Sequence, residues 1–523
     1  MTYILDELFN RGYRQQVEFL QQHDSFITAT ELVSEKLRNG GVSLVWGPPG
    51  TGKTTTFLNA IEKEFFNIIE GDEVLLYIGP TNHLVAEMYS KLASIYHKFH
   101  LVKKDFIEQV KIYGSQFGFN NNIFSKQIRE CDDNTRFILT TSYQMPYLPG
   151  LRNIKRVHIL VDEASKSPIH VPFIPLVQEF TSYLLEGKSE RTSSLSILGD
   201  PNQAIGITDE LRGRKDLLLF LRLIGGLLSE ESLDYQNTQE ILEKANKRLS
   251  GKYLAVLDTT FRLPAPTESP ISHGFYNRIL KARFTAKERL EGLWEASRAK
   301  KLEDIDSTFK HKHIVNKLEE ALTAGMPIVY VHVKGKHQYK DYHGELFDRE
   351  RAVAGLYYAV ALSYITQESV TVVTTYTDQA FHMKNLYARD FLSRIPEKIN
   401  VSFTTTHRAL GSEDNHIVAV LGKEYYGQSG WYDEKYDEKT IYYTEPEIFN
   451  VQLSRHKRSL IVVGNLQLMY NTINKLHSRI GAAPYNNLKT TVEKLIELCG
   501  GEIIKGQLRI GHGDGGIIHE WPK

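Results

Sequence analysis

The sequence predicts an α/β protein built from two tandem parallel-sheet domains with small helical insertions. Three observations predict it. Short apolar, β-branched runs alternate with longer helix-compatible stretches. The runs are continuously apolar, as strands covered on both faces are. They also fall into two series, divided by a mostly helical segment at 205–255.

The first series is VSLVWG (42–47), EVLLYIGP (73–80), RFILTT (136–141), VHILVDE (157–163) and SLSILGD (194–200). The second is PIVYVHV (327–333), VTVVTTY (370–376), HIVAVLG (416–422) and SLIVVGN (459–465). A mixed-charge helical segment runs over 278–322. Its Arg278, Lys281, Arg283, Lys287, Arg289, Lys300 and Lys301 interleave with acids, which reads as a solvated face. The region 88–135 has room for a small insertion at most. These patterns place a first domain at 1–255, a second at 256–470 and a helical tail at 471–523. GHGDGG (511–516) follows no strand-to-helix pattern and is read as a flexible tail.

Composition narrows the functional classes. Lys+Arg and Asp+Glu both number 63, so no global charge attracts nucleic acid, although a local basic groove stays open. No apolar run reaches the ~20 residues of a membrane span, and the acids at the start of the chain argue against a secretion signal. Two distant cysteines, Cys131 and Cys499, fit a reducing cytoplasm or nucleus and exclude a Cys-rich zinc module.

The strongest motif is GPPGTGKT (47–54), a G-x-x-x-x-G-K-T phosphate loop between a strand and a helix-compatible run. Gly47, Pro48, Pro49, Gly50, Thr51, Gly52, Lys53, Thr54 and the following Thr55 are the candidate nucleotide-binding residues. Glycines let backbone N–H groups curl around phosphates, and the helix N-terminus adds positive potential. Lys53 suits the β- and γ-phosphates of ATP, and Thr54 suits Mg²⁺. In ILVDEAS, Asp162 is a second candidate for Mg²⁺, and Glu163 is the candidate base for the attacking water. In GDPNQ, Gln203 can hydrogen-bond a γ-phosphate.

In order, these elements resemble superfamily 1 helicases, closest in motifs to the RNA-surveillance (up-frameshift)-like and RecD-like 5′–3′ branch. The resemblance runs from about Gly41 to Asn465 and includes GPTNHLV (79–85), LDTTFRLP (257–264), SHGFYNRIL (272–280), VTTYTDQ (373–379), TTTHRALGSED (404–414) and NVQLSRHKRSLIVVGN (450–465). It implies two RecA-like domains with ATP and Mg²⁺ in the cleft between them. It assigns Arg262 and Arg455 to the γ-phosphate, Phe261 to stacking on the base, and Glu413 to the ribose or phosphates. It gives Pro80, Thr81, Asn82, Thr141, Ser142, Thr405 and His407 to the backbone of single-stranded nucleic acid.

The sequence departs from that family in places. No glutamine precedes the phosphate loop where the family has one: Gln21 and Gln22 lie upstream, and Thr28 or Thr30 occupies the region. Leu410 stands for a glutamine, and Gln452 and Ser454 stand for an alanine and a threonine. The expectation is a near-minimal, monomeric motor moving 5′→3′ on DNA or RNA, with a protein partner for accessory functions. Three rivals stay open: another phosphate-loop enzyme (GTPase, kinase or AAA+ ATPase), an ATPase that remodels protein–nucleic-acid complexes with little unwinding, and a binding scaffold with a decayed motor.

Overall fold

Every apolar run read from the sequence becomes a strand of one of two all-parallel sheets. The computed structural model describes residues 17–70, 73–99, 106, 108–113, 134–145, 156–171, 194–203, 214–230, 233–235, 237–305, 312–334, 347–392, 399–409, 413–423, 441–480 and 485–521. The chain divides into two compact units, Met1–Asp258 and Thr259–Lys523.

Unit 1 contains β1 (Gly41–Trp46), β2 (Glu73–Gly79), β3 (Val110–Tyr113), β4 (Phe137–Thr141), β5 (Arg156–Val161), β6 (Ser194–Gly199) and β7 (Leu254–Val256). They pair in parallel in the order β3-β4-β2-β5-β6-β1-β7, so all their carboxyl ends meet at one edge. Its helices are α1 (Asp24–Asn39), α2 (Lys53–Glu70), α3 (Asn82–Lys98), α4 (Leu219–Leu228) and α5 (Thr238–Leu249). Helix α2 buries Phe57, Leu58, Ile61 and Phe65, one stripe at helical spacing. Phe65 stacks on Phe99 at 5.0 Å and on Phe137 at 6.2 Å, which ties α2 to β4. Each such ring stabilises the fold by roughly 1.5–3 kcal/mol.

Unit 2 begins with a short parallel pair, β8 (Thr259–Thr260) and β9 (Lys281–Ala282). Its main sheet comprises β10 (Ile328–His332), β11 (Val370–Thr374), β12 (Val401–Thr405), β13 (Asp414–Val420), β14 (His456–Gly464) and β17 (Gly516–Glu520), in the parallel order β12-β11-β13-β14-β10-β17. Strands β15 (Gly501–Ile504) and β16 (Gln507–Ile510) form an antiparallel hairpin. The helices are α6 (Ser269–Phe275), α7 (Ala286–Leu290), α8 (Ala296–Ile305), α9 (Lys312–Thr323), α10 (Arg349–Thr366), α11 (Thr377–Asp390), α12 (Ile441–Thr444), α13 (Glu447–Leu453), α14 (Leu466–Ile480) and α15 (Asn486–Leu498). Helix α10 is buried on nearly all sides. Its N-cap, Asp348, exchanges two hydrogen bonds with the buried Gln379 amide, at 2.7 and 3.1 Å. The glutamine of VTTYTDQ therefore holds a helix start.

The helical tail expected at 471–523 is corrected. After α14 and α15 the chain forms the hairpin and then β17, which extends the main sheet by pairing with β10. GHGDGG is not a loose tail either. The Gly511 N–H donates to Gly500 O at 2.6 Å, and a Cβ on Gly513 would lie 2.4 Å from the carbonyl oxygens of Gly516 and Leu498. These glycines allow backbones to touch. No helix among the described residues is long and apolar enough to cross a membrane.

The same kind of polar bridge recurs at the amino edge of each sheet. In unit 1, His158 on β5 bonds Ser194 Oγ on β6 through Nδ1 and Glu73 Oε2 on β2 through Nε2, both at 2.8 Å. In unit 2, His416 on β13 bonds Ser459 Oγ on β14 through Nδ1 at 2.7 Å and Glu368 Oε2, before β11, through Nε2 at 2.9 Å. The registers agree: each His lies opposite its Ser, and each Glu lies two residues before the residue opposite the His.

Unit 2 also buries three histidines whose imidazoles titrate low. Burial is the main cause in each: His416 is shifted down despite Glu368, with Arg458 opposing its charge; His332 falls to about 4 and His456 to about 3. A folded-state pKa below the unfolded one means that protonation favours the unfolded chain. This stabilisation is therefore complete above ~6.5, the unfolded value, and is lost as pH falls toward the folded values. Thermal denaturation from pH 7.5 to 4 is expected to show a steep loss of stability below about pH 6.5, less steep in His456→Phe. An unchanged slope in that variant would contradict the assignment.

Candidate functional site

The phosphate loop connects β1 to α2 at the carboxyl edge of the first sheet. The Gly47 N–H donates to Gly199 O at 3.1 Å, so the loop leaves the sheet in register with β6. Gly50 and Gly52 adopt φ of 70° and 89°, the left-handed region that glycine tolerates best. A Cβ on Gly47 would stand 2.3 Å from Lys53 Cγ and 2.8 Å from Thr51 Oγ1. The loop is braced from within: Thr51 Oγ1 donates to Pro48 O at 2.9 Å and Lys53 Nζ to Gly47 O at 2.6 Å. The hollow lies at the first turn of an 18-residue helix, where N–H groups and the helix dipole favour an anion.

Strand β5 brings the two acids to this loop. Asp162 is 1% exposed. Its Oδ2 accepts from Thr54 Oγ1 at 3.0 Å and Tyr77 OH at 3.3 Å, and its Oδ1 accepts from the Glu163 N–H at 2.9 Å. Burial and the neighbouring Glu163 push its carboxyl up, while Lys53, the Glu163 N–H and Thr54 oppose the rise. The Tyr77 hydroxyl is pushed well above its ordinary value, by burial first and then by Asp162. Glu163 sits at φ 49°, and its Oε2 meets the ammonium of buried Lys166 at 3.0 Å.

The donor set fits Mg²⁺. A hydroxyl and a carboxylate lie side by side at a phosphate loop. Among the described residues no group of three or more His, Cys, Asp or Glu is placed to hold a metal. Mg²⁺ needs no such cage, because it keeps waters and takes phosphate oxygens beside one or two protein ligands.

Gln203 lies past the end of β6, buried, its amide donating to Asp200 Oδ2 at 2.7 Å. Asp200 Oδ1 also accepts from Trp46 Nε1 at 3.3 Å. Pro80, Thr81 and Asn82 follow β2, Thr141 ends β4, its sheet neighbour, and Ser142 follows it. Thr81 caps α3 by accepting the Leu84 N–H at 3.4 Å, and Ser142 N–H donates to Gly79 O at 3.0 Å. Thr141 is buried, so it offers little surface to a strand.

In unit 2 the FRLP segment meets the end of α13. Arg262 Nε pairs with Glu413 Oε2 at 2.7 Å, and its Nη1 donates to Ser454 O at 3.1 Å. Lys457 pairs with Glu413 Oε1 at 2.6 Å. Burial alone would raise the Glu413 carboxyl, but Arg262 and Lys457 more than offset it and hold it at about 2. Arg455 is buried, its Nε donating to Val451 O at 3.1 Å. Phe261 is half-buried, and its carbonyl accepts from Arg289 Nη2 at 3.0 Å. Thr405 ends β12, and Thr406 after it bonds Thr374 O through both N–H and hydroxyl, which sets the course of the loop toward His407. Leu410, Gly411 and Ser412 lie outside the described residues.

The site sequences match two family models, each described as an AAA domain, over residues 27–136 and 238–467. Together these spans cover well over half of the chain. The chain belongs to helicase superfamily 1. It is similar to the replicase polyprotein 1ab of Breda virus 1, 28% identical over 180 residues, which is 34% of this chain and 2% of that protein. Against the replicase polyprotein 1ab of Berne virus it is 27% identical over 180 residues, again 34% and 2%. The matched segment thus spans about 2% of these curated relatives. Among solved structures, the DEAD-box helicase Mss116 bound to ssRNA and UDP-BeF aligns with TM-score 0.44 and 10% identity, over 87% of this chain and 72% of that one. The DUF1998 helicase MrfA bound to DNA and AMPPNP aligns with TM-score 0.36 and 12% identity, over 84% and 48%.

The structure gathers Lys53, Thr54, Asp162 and Glu163 in unit 1, and Arg262, Glu413 and the Ser454–Arg455 segment in unit 2. Sequence reasoning missed Lys166, Tyr77 and Asp200, which hold Glu163, Asp162 and Gln203. A lysine three residues after an acid that ends a strand was the available signal for Lys166. Gln452, which stands where the family has an alanine, has a structural task. Its Nε2 donates to Val373 O at 3.1 Å and Val420 O at 3.0 Å, and its Oε1 accepts from Tyr442 OH at 2.9 Å. It fastens the carboxyl ends of β11 and β13.

Gly47→Ala is expected to weaken binding of a fluorescent ATP analogue by ~100-fold or more while the protein stays folded, because the added methyl displaces Lys53 within the loop. Wild-type affinity in that variant would show that phosphates are held elsewhere.

Proposed function

We propose that this helicase hydrolyses ATP and uses the cycle to move along single-stranded nucleic acid, with 5′→3′ polarity. The observation that carries the reading is the loop of Gly47, Lys53 and Thr54 set against the buried Asp162 and the strand-end Glu163. The loop N–H groups and Lys53 bind the phosphates. Thr54 and Asp162 would hold Mg²⁺, which when bound supplies charge neutralisation at the β- and γ-phosphate oxygens. Glu163 accepts a proton from the water whose oxygen bonds to the γ-phosphorus as the bond to ADP breaks. Gln203 contacts the γ-phosphate. Arg262 and Arg455, by their place in the family motifs, stabilise charge on the transferring group.

Small polar groups at the strand ends (Thr81, Asn82, Ser142, Thr405 and His407) suit hydrogen bonds to a sugar–phosphate backbone. Such contacts do not read sequence. They also release few counterions, and each neutralised phosphate on a single strand adds only ~0.7 to the log–log salt slope. The zero net charge of the chain favours the same behaviour.

The decisive experiment is steady-state ATPase with single-stranded DNA and RNA compared side by side, followed by strand displacement on 5′- and 3′-tailed duplexes. Lys53→Ala is expected to abolish turnover. Glu163→Gln should keep ATP binding and lower kcat by ~100-fold or more. Arg262→Ala and Arg455→Ala should each lower kcat by ~10³ with little change in ATP affinity. Near-wild-type turnover in the lysine or glutamate variant sinks the ATPase assignment. A loss confined to KM in the arginine variants shows that they only bind. Titration of several unrelated oligonucleotides across a salt series is expected to give a shallow slope and similar affinities. A steep slope would move the grip to a basic surface such as 278–301.

A further inference from the structure

We propose that Lys166 is a positioning residue for the Glu163 carboxylate, fixing one of its oxygens so that the base faces the attacking water in one orientation. The inference rests on the ATPase reading above and adds to it a residue that the family motifs leave without a role.

Lys166 is a buried cation, 3% exposed, and its Nζ lies 3.0 Å from Glu163 Oε2. A buried ammonium is tolerated when it is paired. The local backbone creates the pairing. Glu163 leaves β5 at φ 49° and caps the one-turn 3₁₀ helix Ala164–Lys166. The Lys166 N–H donates to Glu163 O at 3.1 Å, which returns the lysine side chain toward the residue three before it. The turn itself is fixed. Asp200 N–H donates to Ser165 Oγ at 3.4 Å, Leu219 N–H donates to Ser167 O at 2.9 Å, and a Cβ on Gly199 would come within 3.0 Å of Ser165 N. The ammonium therefore sits on a braced element, and the carboxylate is held by a group that does not itself drift.

Charge points the same way. Asp162 and Glu163 place two carboxylates next to each other, and Asp162 feels Glu163 as a repelling neighbour and Lys53 as an attracting one. Lys166 is the cation on the Glu163 side. With an oxygen fixed by Lys166, the carboxylate approaches the water without first choosing among rotamers, the kind of orientation that a reaction rate rewards and substrate affinity does not.

The test uses the full chain. In Lys166→Met, kcat is expected to fall ~10- to 100-fold, while KM and the stoichiometry of ATP binding stay within ~3-fold. Lys166→Arg, which keeps the charge, should recover most of the loss. In a Glu163→Gln background, Lys166→Met should cost no more than ~2-fold further, because both changes act through one carboxylate. If Lys166→Met does not bind ATP stoichiometrically, Lys166→Gln is judged by the same measures. Turnover within ~3-fold of wild type in a variant that binds ATP fully overturns the proposal, as does an undiminished further loss in the Glu163→Gln background. A wild-type chain without any turnover would overturn the ATPase reading itself, and this role with it.

Discussion

The buried carboxylate of Asp162 is the constraint around which unit 1 is organised. An ion at 1% exposure is costly to bury unless donors surround it. Here the donors come from three separate elements: Thr54 opens α2, Tyr77 lies in β2, and the Glu163 N–H begins the turn after β5. Satisfying one carboxylate therefore sets the height of the phosphate loop, its place beside β2 and the direction in which the chain leaves β5. Asp200 repeats the device on a smaller scale at the end of β6, holding Trp46, Gln203 and the Asn202 N–H.

Unit 2 uses the opposite strategy at its own carboxyl edge. Its fixed points are neutral. Gln452, itself held by the Tyr442 hydroxyl, ties carbonyls of β11 and β13, and the Gln379 amide grips the start of α10. The charged groups lie outside that frame, where Arg262, Lys457 and Glu413 share one cluster in which Glu413 keeps more than a third of its side chain in solvent. Glu413 is shared by two cations, so Arg262 can pass to another anion while Lys457 keeps the carboxylate paired. The sheet end stays fixed while the cation remains able to respond.

The nine apolar runs were legible because a strand covered on both faces has no polar side to obscure it. Strands β3, β7, β12 and β17 were not. Leu254–Val256 is three residues long, VSFTT is half polar, and GIIHE follows a glycine cluster that suggests a loop. Those glycines misled for a physical reason: the same residue serves both freedom and close approach, and Gly513 is there because carbonyls press on it. The phosphate loop and the acids were legible because their chemistry demands particular residues at particular spacings. Lys166, Asp200 and Tyr77 act on those residues from burial, and burial is not a local property of sequence.

The Glu–His–Ser bridges at the amino edges carry a mechanical meaning. Hydrogen bonds between parallel strands resist separation well, but a sheet pulled along its strands can fail by one strand sliding past the next. His158 laces three adjacent strands, and His416 laces two strands and the segment leading into a third, with side-chain bonds that such sliding would have to break. Within its own sheet, His158 lies at the edge opposite the phosphate loop and His416 at the edge opposite Thr405, and both occupy the same register. A load applied at one edge is then met at the other by a stitch across the central strands. Each sheet can thus behave as a stiff plate, which lets small displacements at the loops be passed on without being absorbed by internal shear.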